Sequence, residues 1–576
     1  MGPLTSKEVD VAIVGGGPFG LTLAIELGRR GVSVALYDAK PSTAFNPQAN
    51  ATQARTMEYF RRLGFADEIR ALGLPGDYPT DIAYFTRYAS HELTRFRLPA
   101  SRQAKDMVSR NDGSWSAAEA PHRISQKFVE PVLHHHADEA GDADIRFGWQ
   151  LTGFDETEDH VMCRFQSVTG DDKHHVKARY LIGGDGARSF VRRTLGVSYT
   201  GEYGKQRHFF GGQMYAIYLR CPTFYEVTGK DPAWMNWVFN PQRRAFMAAV
   251  DGRGEFAFHT QLKDGENEGS ITDEDARKLF AETCGMELDC EILSHMGWTA
   301  GHSLVADRYG GGRIWFGGDA AHLFTPAGGL GYNTAVEDAV NLGWKLAATL
   351  KGQAGPALLP SYQDERRPVA LRNTAFACGF ADSVGNFIPD HVIEEDSDAG
   401  AQKRRQAGDY LNDHAQREFN IPGITFGSRY DGSPVLPVAD QAIPEDRANL
   451  YQPTGLPGGR PPHWWFDDGT SLYDRFGFDW TLIQLGPDNN TSHPSPLINE
   501  AARRGLDLKS IQIDEPRLTK LYGGGEGGGD DGGDGALMVL IRPDQMVGWR
   551  GTTCANASAI WDVLLGFPKP HQKAVE

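Results

Sequence analysis

Three glycine–aspartate constellations carry the chemistry visible in this sequence. Gly15, Gly17 and Gly20 have G-x-G-x-x-G spacing within Gly15-Gly16-Gly17-Pro18-Phe19-Gly20. The first glycine permits a tight turn, the second lets backbone approach a pyrophosphate, and the third lets a helix pack on a strand. Asp38 follows at the distance where a carboxylate can take ribose hydroxyls. Gly183-Gly184-Asp185-Gly186 and Gly317-Gly318-Asp319 are two further segments. The second leads to Pro326 and then to Gly328-Gly329-Leu330-Gly331-Tyr332-Asn333. Singly, each of these two reads as an Asp-Gly turn. The first constellation reads as a dinucleotide site, where free N–H groups at a helix N-terminus meet phosphates.

The flanking residues predict the elements that must position these groups. Residues 9–14 form an apolar strand ahead of the first glycines, residues 21–30 an amphipathic helix after them, and residues 32–38 a second strand ending at Asp38. Residues 177–182 and 313–316 read as strands feeding the other two segments, and residues 190–195 as a helix after the second. Thr334 and Glu337 have the T-x-x-E spacing of a capping box, and Val336, Ala339, Val340, Gly343, Leu346, Ala347 and Leu350 recur at helical spacing. A helix starting near Asn333 would aim its positive end at whatever the glycine loop holds.

In this order, the three segments resemble the flavoprotein aromatic hydroxylases of the para-hydroxybenzoate hydroxylase and phenol hydroxylase type, over nearly the whole chain. The resemblance implies an α/β architecture: a Rossmann-like FAD-binding domain from residues 1–196 and 306–382, an inserted β-sheet substrate domain at 197–305, a helical connection at 383–425, and a thioredoxin-like C-terminal domain at 426–576. It implies FAD held along Gly15, Gly17, Pro18, Phe19, Gly20, Asp38, Ala39, Lys40 and Gln48, with Gln126 near the flavin chain. Asp185 and Gly186 would lie near the pyrophosphate, and Gly318 and Asp319 at the ribityl chain. Pro326, Gly329, Leu330, Gly331, Tyr332 and Asn333 would lie at the ring. NADH or NADPH would reduce the flavin, O2 would add at its C4a position, and the hydroperoxide would hydroxylate an activated, phenolic ring. The alternative is epoxidation or oxidative ring opening of a polycyclic or non-phenolic substrate, which shares every cofactor motif.

Within this resemblance Asn50 stands where the phenol hydroxylase branch carries a catalytic aspartate, and an amide cannot act as a base. Tyr332 is placed to shape the pocket above the flavin. Arg55, in Arg55-Thr56-Met57-Glu58, matches a structural signature, and Tyr362-Gln363-Asp364-Glu365-Arg366-Arg367-Pro368 matches a helix end of the family. Strand-like runs at 213–220, 237–240, 245–250 and 255–262 make the substrate sheet, with Tyr215 and His259 as catalytic candidates and Tyr218, Arg220 and Trp234 as further pocket candidates. His134-His135-His136 is not a metal site, because consecutive helical residues point about 100° apart.

A net charge of −17 argues against nucleic acid or anionic membrane as partner. No apolar run reaches spanning length, and the N-terminal residues lack a secretory pattern, so a cytoplasmic enzyme is expected. Six scattered cysteines without C-x-x-C fit a reducing compartment and show no zinc site. The expected partners are a small aromatic substrate, O2 and a second copy of the chain in a homodimer. With Cys554 as its one cysteine, the C-terminal domain cannot perform dithiol exchange. Residues 523–535, only glycine and acid, read as a surface loop.

Overall fold

The structure, a computed structural model, describes residues 6–111, 113–486, 494–523 and 537–568. The glycine-and-acid run therefore lies, from residue 524 on, outside the described residues.

Strand Ser6–Val14 is the axis of the first sheet. Val11, Ala12 and Ile13 are wholly buried, as a strand covered on both faces requires. It pairs in parallel with Val34–Asp38 on one side and Lys173–Gly183 on the other. Ala143–Phe147 and Ile314–Phe316 continue the sheet outward, again in parallel. The register sets Val14 opposite Gly183, and Gly183 opposite Phe316. All three glycine segments thus leave the sheet side by side at one edge, where α/β folds bind ligands.

The first helix differs from the amphipathic 21–30 expectation. It runs Pro18–Gly28, and every residue from Phe19 to Gly28 is buried. The helix is wedged between neighbours: a Cβ on Gly28 would lie 1.9 Å from the Ala140 carbonyl oxygen, and one on Gly343 of the facing helix would lie 2.7 Å from Glu26 Cβ. A helix covered on all sides has no polar face to show.

The second sheet runs in the order Glu291–Ala300, Gly212–Arg220, Glu255–Gln261, Arg244–Ala249, Met235–Phe239, Ile82–Phe85, Glu92–Phe96. The last two strands come from the segment the sequence reading placed wholly in the nucleotide-binding domain. Ile82–Phe85 pairs in parallel with Met235–Phe239, so the sheet is built from two distant stretches of chain. One helix, Asp273–Cys284, packs on its outer side, with Phe280 edge-on to Phe258 at 5.4 Å. Helix Ser361–Gly385 extends past 382, and residues 386–397 are non-helical before Asp398–Phe419, so the expected single connection is two helices and a loop. The C-terminal part has a four-stranded sheet in the order Leu508–Ile513, Trp480–Leu485, Leu537–Ile541, Val547–Gly551. Among the described residues, no helix is long and apolar enough to cross a membrane.

Buried charges join the C-terminal part to the first domain. Arg542 donates through both Nη atoms to Glu365 at 2.7 Å each, and also to Asp544 at 2.7 Å. Lys345 reaches Glu365 at 2.6 Å. Arg460 donates to Glu58 at 2.5 and 3.0 Å, and Arg55 to the Gln545 carbonyl at 2.9 Å. Burial alone would raise Glu365, but Arg542 and Lys345 outweigh it and hold its carboxyl well below the usual range. That contribution is complete above the ordinary glutamate pKa and is lost as pH falls toward the depressed one. R542M removes the guanidinium shared by two buried carboxylates, Glu365 and Asp544, and is expected to destabilise the fold by about 3–5 kcal/mol at pH 7. Urea unfolding of the full chain checks this, and a cost below about 1 kcal/mol would contradict the buried network. The deficit should shrink when the comparison is repeated on acidification below about pH 4.

Candidate active site

The glycine loop is set by contact between backbones. Gly15 has φ +109°, and a Cβ there would lie 2.1 Å from the Gly184 carbonyl oxygen. A Cβ on Gly20 would lie 2.0 Å from the Gly15 oxygen, whereas one on Gly17 would meet nothing within 4 Å. Gly17 therefore faces open space, and Pro18 begins the helix with φ already restrained. The Phe19 ring is a packing wedge: hypothetical Cβ atoms on Gly317 and Gly184 would lie 2.3 and 2.8 Å from it. Only its backbone is available to a ligand.

Asp38 and Asp185 are both braced by backbone. Asp38 accepts from the Gly16 N–H at 2.6 Å and the Lys40 N–H at 2.7 Å, while Ala39 and Lys40 are exposed. Asp185 accepts from the N–H groups of Phe190 and Val191 at 2.6 and 3.1 Å, so it caps the short helix Phe190–Thr194. Burial raises its carboxyl, and its Oδ1 has no partner. Gly186 makes the turn with φ +76°.

Gly318 (φ +57°) presents Asp319, whose side chain is exposed to the cleft. Its carboxylate makes no hydrogen bond to the described residues, and the depth of its position raises its pKa. A wholly buried set supports this turn from behind. His322 Nε2 lies 2.6 Å from Asp338 Oδ2, the Gly318 N–H reaches the same oxygen at 3.2 Å, and Arg366 Nε donates to Asp338 Oδ1 at 2.7 Å. Sequence reasoning missed His322 and Asp338, which lie on a short strand and a helix and meet only in the folded chain.

The expected capping box does not form. The helix runs Leu330–Leu350 with Gly329 as its N-cap at φ +63°, and no side chain caps it. Thr334 lies inside the helix, where its hydroxyl accepts from Asn373 at 3.0 Å, and Glu337 pairs with Arg366 at 2.9 Å. A glycine cap leaves the first-turn N–H groups free for an outside acceptor. Pro326 and Gly329 are exposed beside it, and Leu330 turns into the core. A Cβ on Gly331 would only touch Phe324, at 3.5 Å. Asn333 ties this turn to the 51–53 segment: its Oδ1 accepts from the Gln53 N–H at 2.9 Å and its Nδ2 donates to the Ala51 carbonyl at 3.1 Å. Gln126 donates through its N–H to the Ala49 carbonyl at 2.7 Å and through Nε2 to Glu130 at 2.6 Å. Glu130, buried and unpredicted, also accepts from the Ala44 N–H at 2.6 Å. Gln48 is exposed, while Asn50 Oδ1 is buried without a partner among the described residues.

The second sheet turns one face toward this assembly. Along one row the register sets Tyr84, Trp237, Phe246, His259, Ala216 and Met296 side by side. His259 stacks on Phe246 at 4.5 Å and meets Trp298 edge-on at 5.8 Å. Burial lowers its pKa to about 4, so the ring is neutral at pH 7. On the same face Ser294 donates to Asn46 at 2.6 Å, and Lys127 donates to the Tyr218 hydroxyl, which in turn donates to Glu255. Tyr215 is on the opposite face. Its hydroxyl lies 2.5 Å from His295 Nδ1, and His295 Nε2 lies 3.0 Å from Asp273 of the outer helix. Period-two alternation sends Tyr215 there, which corrects its expected place at the reacting ring. Arg220 pairs with Glu291 and Glu255 at the surface. The three histidines diverge: His136 to Glu68, His135 to Glu139 and His134 to Phe147.

An α/β body with three glycine turns at one end of its parallel sheet, beside a second sheet with an aromatic face, fits a dinucleotide-dependent oxidoreductase. The residues fit a flavin dinucleotide, since Gly17 is open, no side chain caps the Leu330 helix and the Asp319 carboxylate has no hydrogen bond among the described residues. The chain belongs to the family described as FAD binding domain, which matches residues 8–377. The phenol 2-monooxygenase of a Pseudomonas species (strain EST1001) is 28% identical over 99% of this chain and 94% of its own. The aklavinone 12-hydroxylase DnrF of Streptomyces peucetius is 32% identical over 83% of this chain and 92% of its own. A solved structure of the rebeccamycin biosynthetic enzyme RebC with reduced flavin is similar with a TM-score of 0.83 at 30% identity, covering 98% of this chain and all of that one. This protein is a single-component FAD-dependent monooxygenase with NAD(P)H as reductant.

Two glycine substitutions separate fold from ligand. G17A, with an ordinary φ of −84° and free space for its methyl group, is expected to leave apoprotein stability within about 0.5 kcal/mol. It should weaken FAD binding at least about tenfold by blocking backbone approach. G15A should instead destabilise the apoprotein. FAD titration by fluorescence with parallel unfolding curves reads both, and unchanged FAD affinity in G17A would remove the pyrophosphate from that position.

Proposed function

We propose that this protein hydroxylates a phenolic or otherwise activated aromatic ring held between the row Tyr84, Trp237, Phe246 and His259 and the Ala327–Leu330 turn. The observation that carries the reading is polar: Tyr84 Oη, Trp237 Nε1, Trp298 Nε1 and His259 Nδ1 are all buried without partners on one sheet face. Buried donors and acceptors left unpaired in an aromatic wall are costly, and a polar aromatic ligand would satisfy them.

Bound FAD supplies reduction by NAD(P)H and activation of O2 for transfer of one oxygen atom to the ring. In this reading Gly17 and the first turn of Pro18–Gly28 take the pyrophosphate, Asp38 the adenosine ribose, and Asp319 the ribityl hydroxyls. The free N–H groups at Leu330 and Gly331 favour negative charge on a bound acceptor. Trp237, Phe246 and Trp298 exclude water from the reacting face. His259, being neutral, holds a substrate hydroxyl through Nδ1 rather than supplying a fixed charge. Asn50 can orient a hydroxyl through its unpaired Oδ1, but it cannot accept a proton. The C-terminal order of strand, helix, strand, helix, hairpin and helix supports a thioredoxin-like domain with a bracing role.

The test is NAD(P)H oxidation in air across phenols and aromatic acids, with product mass recorded. A compound that speeds oxidation and gains one oxygen as a ring hydroxyl is the expected result. A one-oxygen product without a new ring hydroxyl would select the epoxidation or ring-opening alternative. Peroxide alone with every compound would overturn aromatic oxygenation. Because His259 stays neutral above about pH 5, the kcat/KM profile from pH 6 to 8 should have the same shape in wild type and H259Q. An inflection near pH 6.5 that H259Q removes would show a titrating His259 instead.

A further inference from the structure

The Ala327–Leu330 turn contains two successive glycines in the left-handed region, Gly328 at φ +67° and Gly329 at φ +63°. Glycine enters that region without steric cost and leaves it as readily, so the pair by itself fixes no peptide orientation. Direction has to come from outside the turn. The Gly328 carbonyl accepts from Gln53 Nε2 at 3.2 Å, and the Gly328 N–H donates to Glu418 Oε1 at 2.9 Å. Glu418 stands in the last turn of helix Asp398–Phe419, 90 residues further along the chain.

Glu418 is itself firmly held. Its side chain is buried, and its second oxygen, Oε2, lies 2.7 Å from Nε2 of the wholly buried His414, one turn earlier. The helix that carries both is seated on the second sheet. A Cβ on Gly408 would lie 2.4 Å from the Leu93 carbonyl oxygen, and Phe419 meets Trp234 edge-on at 6.0 Å. Leu411 and Ala415 share one apolar cluster with Trp237, Phe246, Ala327 and Leu330. A carboxylate is costly to bury unless its oxygens are used. Here one of them is used on the peptide that precedes Gly329, the N-cap of the Leu330–Leu350 helix. The orientation of that peptide sets where the free N–H groups of Leu330 and Gly331 point.

We propose that Glu418 is a positioning residue for the flavin: through the Gly328 N–H it aims the first-turn N–H groups of the Leu330–Leu350 helix, and so sets how far reduced flavin is favoured over oxidised. The proposal rests on the reading that the Ala327–Leu330 turn borders the flavin. The acting feature is the hydrogen bond, not the charge, and the two have opposite signs. A negative charge nearby disfavours reduced flavin, which is itself negative, whereas an aimed helix N-terminus favours it.

Three variants of the FAD-loaded enzyme separate the two. E418Q keeps the reach and an acceptor oxygen without the charge. E418D keeps the charge and withdraws the oxygen by one methylene group, and E418L removes both. Midpoint potentials are measured anaerobically against a reference dye, and hydrogen exchange of residues 325–332 is followed in the oxidised and reduced holoenzyme. E418D and E418L are expected to favour reduced over oxidised flavin about 3- to 10-fold less than wild type. For a two-electron couple that is a potential about 15–30 mV more negative. E418Q should match wild type, and the turn should exchange faster in E418D and E418L. E418D carries the test if E418L fails to fold. A wild-type potential in E418D would overturn the proposal, and so would a more positive one in E418Q, which would make the charge the acting feature. Wild-type exchange that does not slow on reduction would overturn the reading of the turn and the proposal with it. Slowing in wild type beside an unshifted E418D would overturn the proposal alone.

Discussion

The rest of the structure depends on the meeting of three backbones at one sheet edge. Gly15, Gly184 and Gly317 approach so nearly that a single methyl group on any of them would collide with carbonyl or ring atoms at 2.1 to 2.8 Å. Phe19 fills the space the three glycines leave, so the phosphate loop, the Asp185 turn and the Asp319 turn move as one packed unit. This packing is why residues from opposite ends of the first 330 positions can address one extended ligand. The strand register delivers them there, and close packing keeps them there.

Around that unit the protein uses charge where apolar packing would be too soft to hold direction. Asp338 receives His322, Arg366 and the Gly318 N–H, and so ties the Gly318–Asp319 turn to two helices. Arg366 also lies 3.3 Å from the Tyr430 hydroxyl, and Glu365 beside it receives Arg542. The C-terminal part thus braces the same helix pair that carries the candidate flavin-side N–H groups. Buried ion pairs gain little net stability over apolar packing but penalise misplacement heavily, which suits a joint whose task is alignment.

The inner face of the second sheet follows the opposite rule. It is aromatic, its histidine is neutral, and several of its buried polar atoms lack partners among the described residues. Such a wall excludes water while leaving hydrogen-bonding capacity for a guest. The second sheet supplies this wall because its outer face is already satisfied by the helix Asp273–Cys284. Its inner face is therefore free to serve the ligand.

Much of the nucleotide half was legible in the residues. Glycine spacing, flanking apolar runs and the acids Asp38, Asp185 and Asp319 are local signals, and each describes a turn whose geometry its own few residues dictate. The capping box was misleading for the same reason. Thr334 and Glu337 have the right spacing, but Asn373 and Arg366, distant in sequence, claim both side chains, and the helix begins at Gly329 instead. The faces of the sheet that Tyr215 and His259 take, the entry of Ile82–Phe85 into the second sheet, and the support of Gln126 by Glu130 belong to tertiary structure alone. Strand alternation leaves two faces equivalent until something packs on one of them, and a charge is paired or unpaired only once the rest of the chain has folded around it.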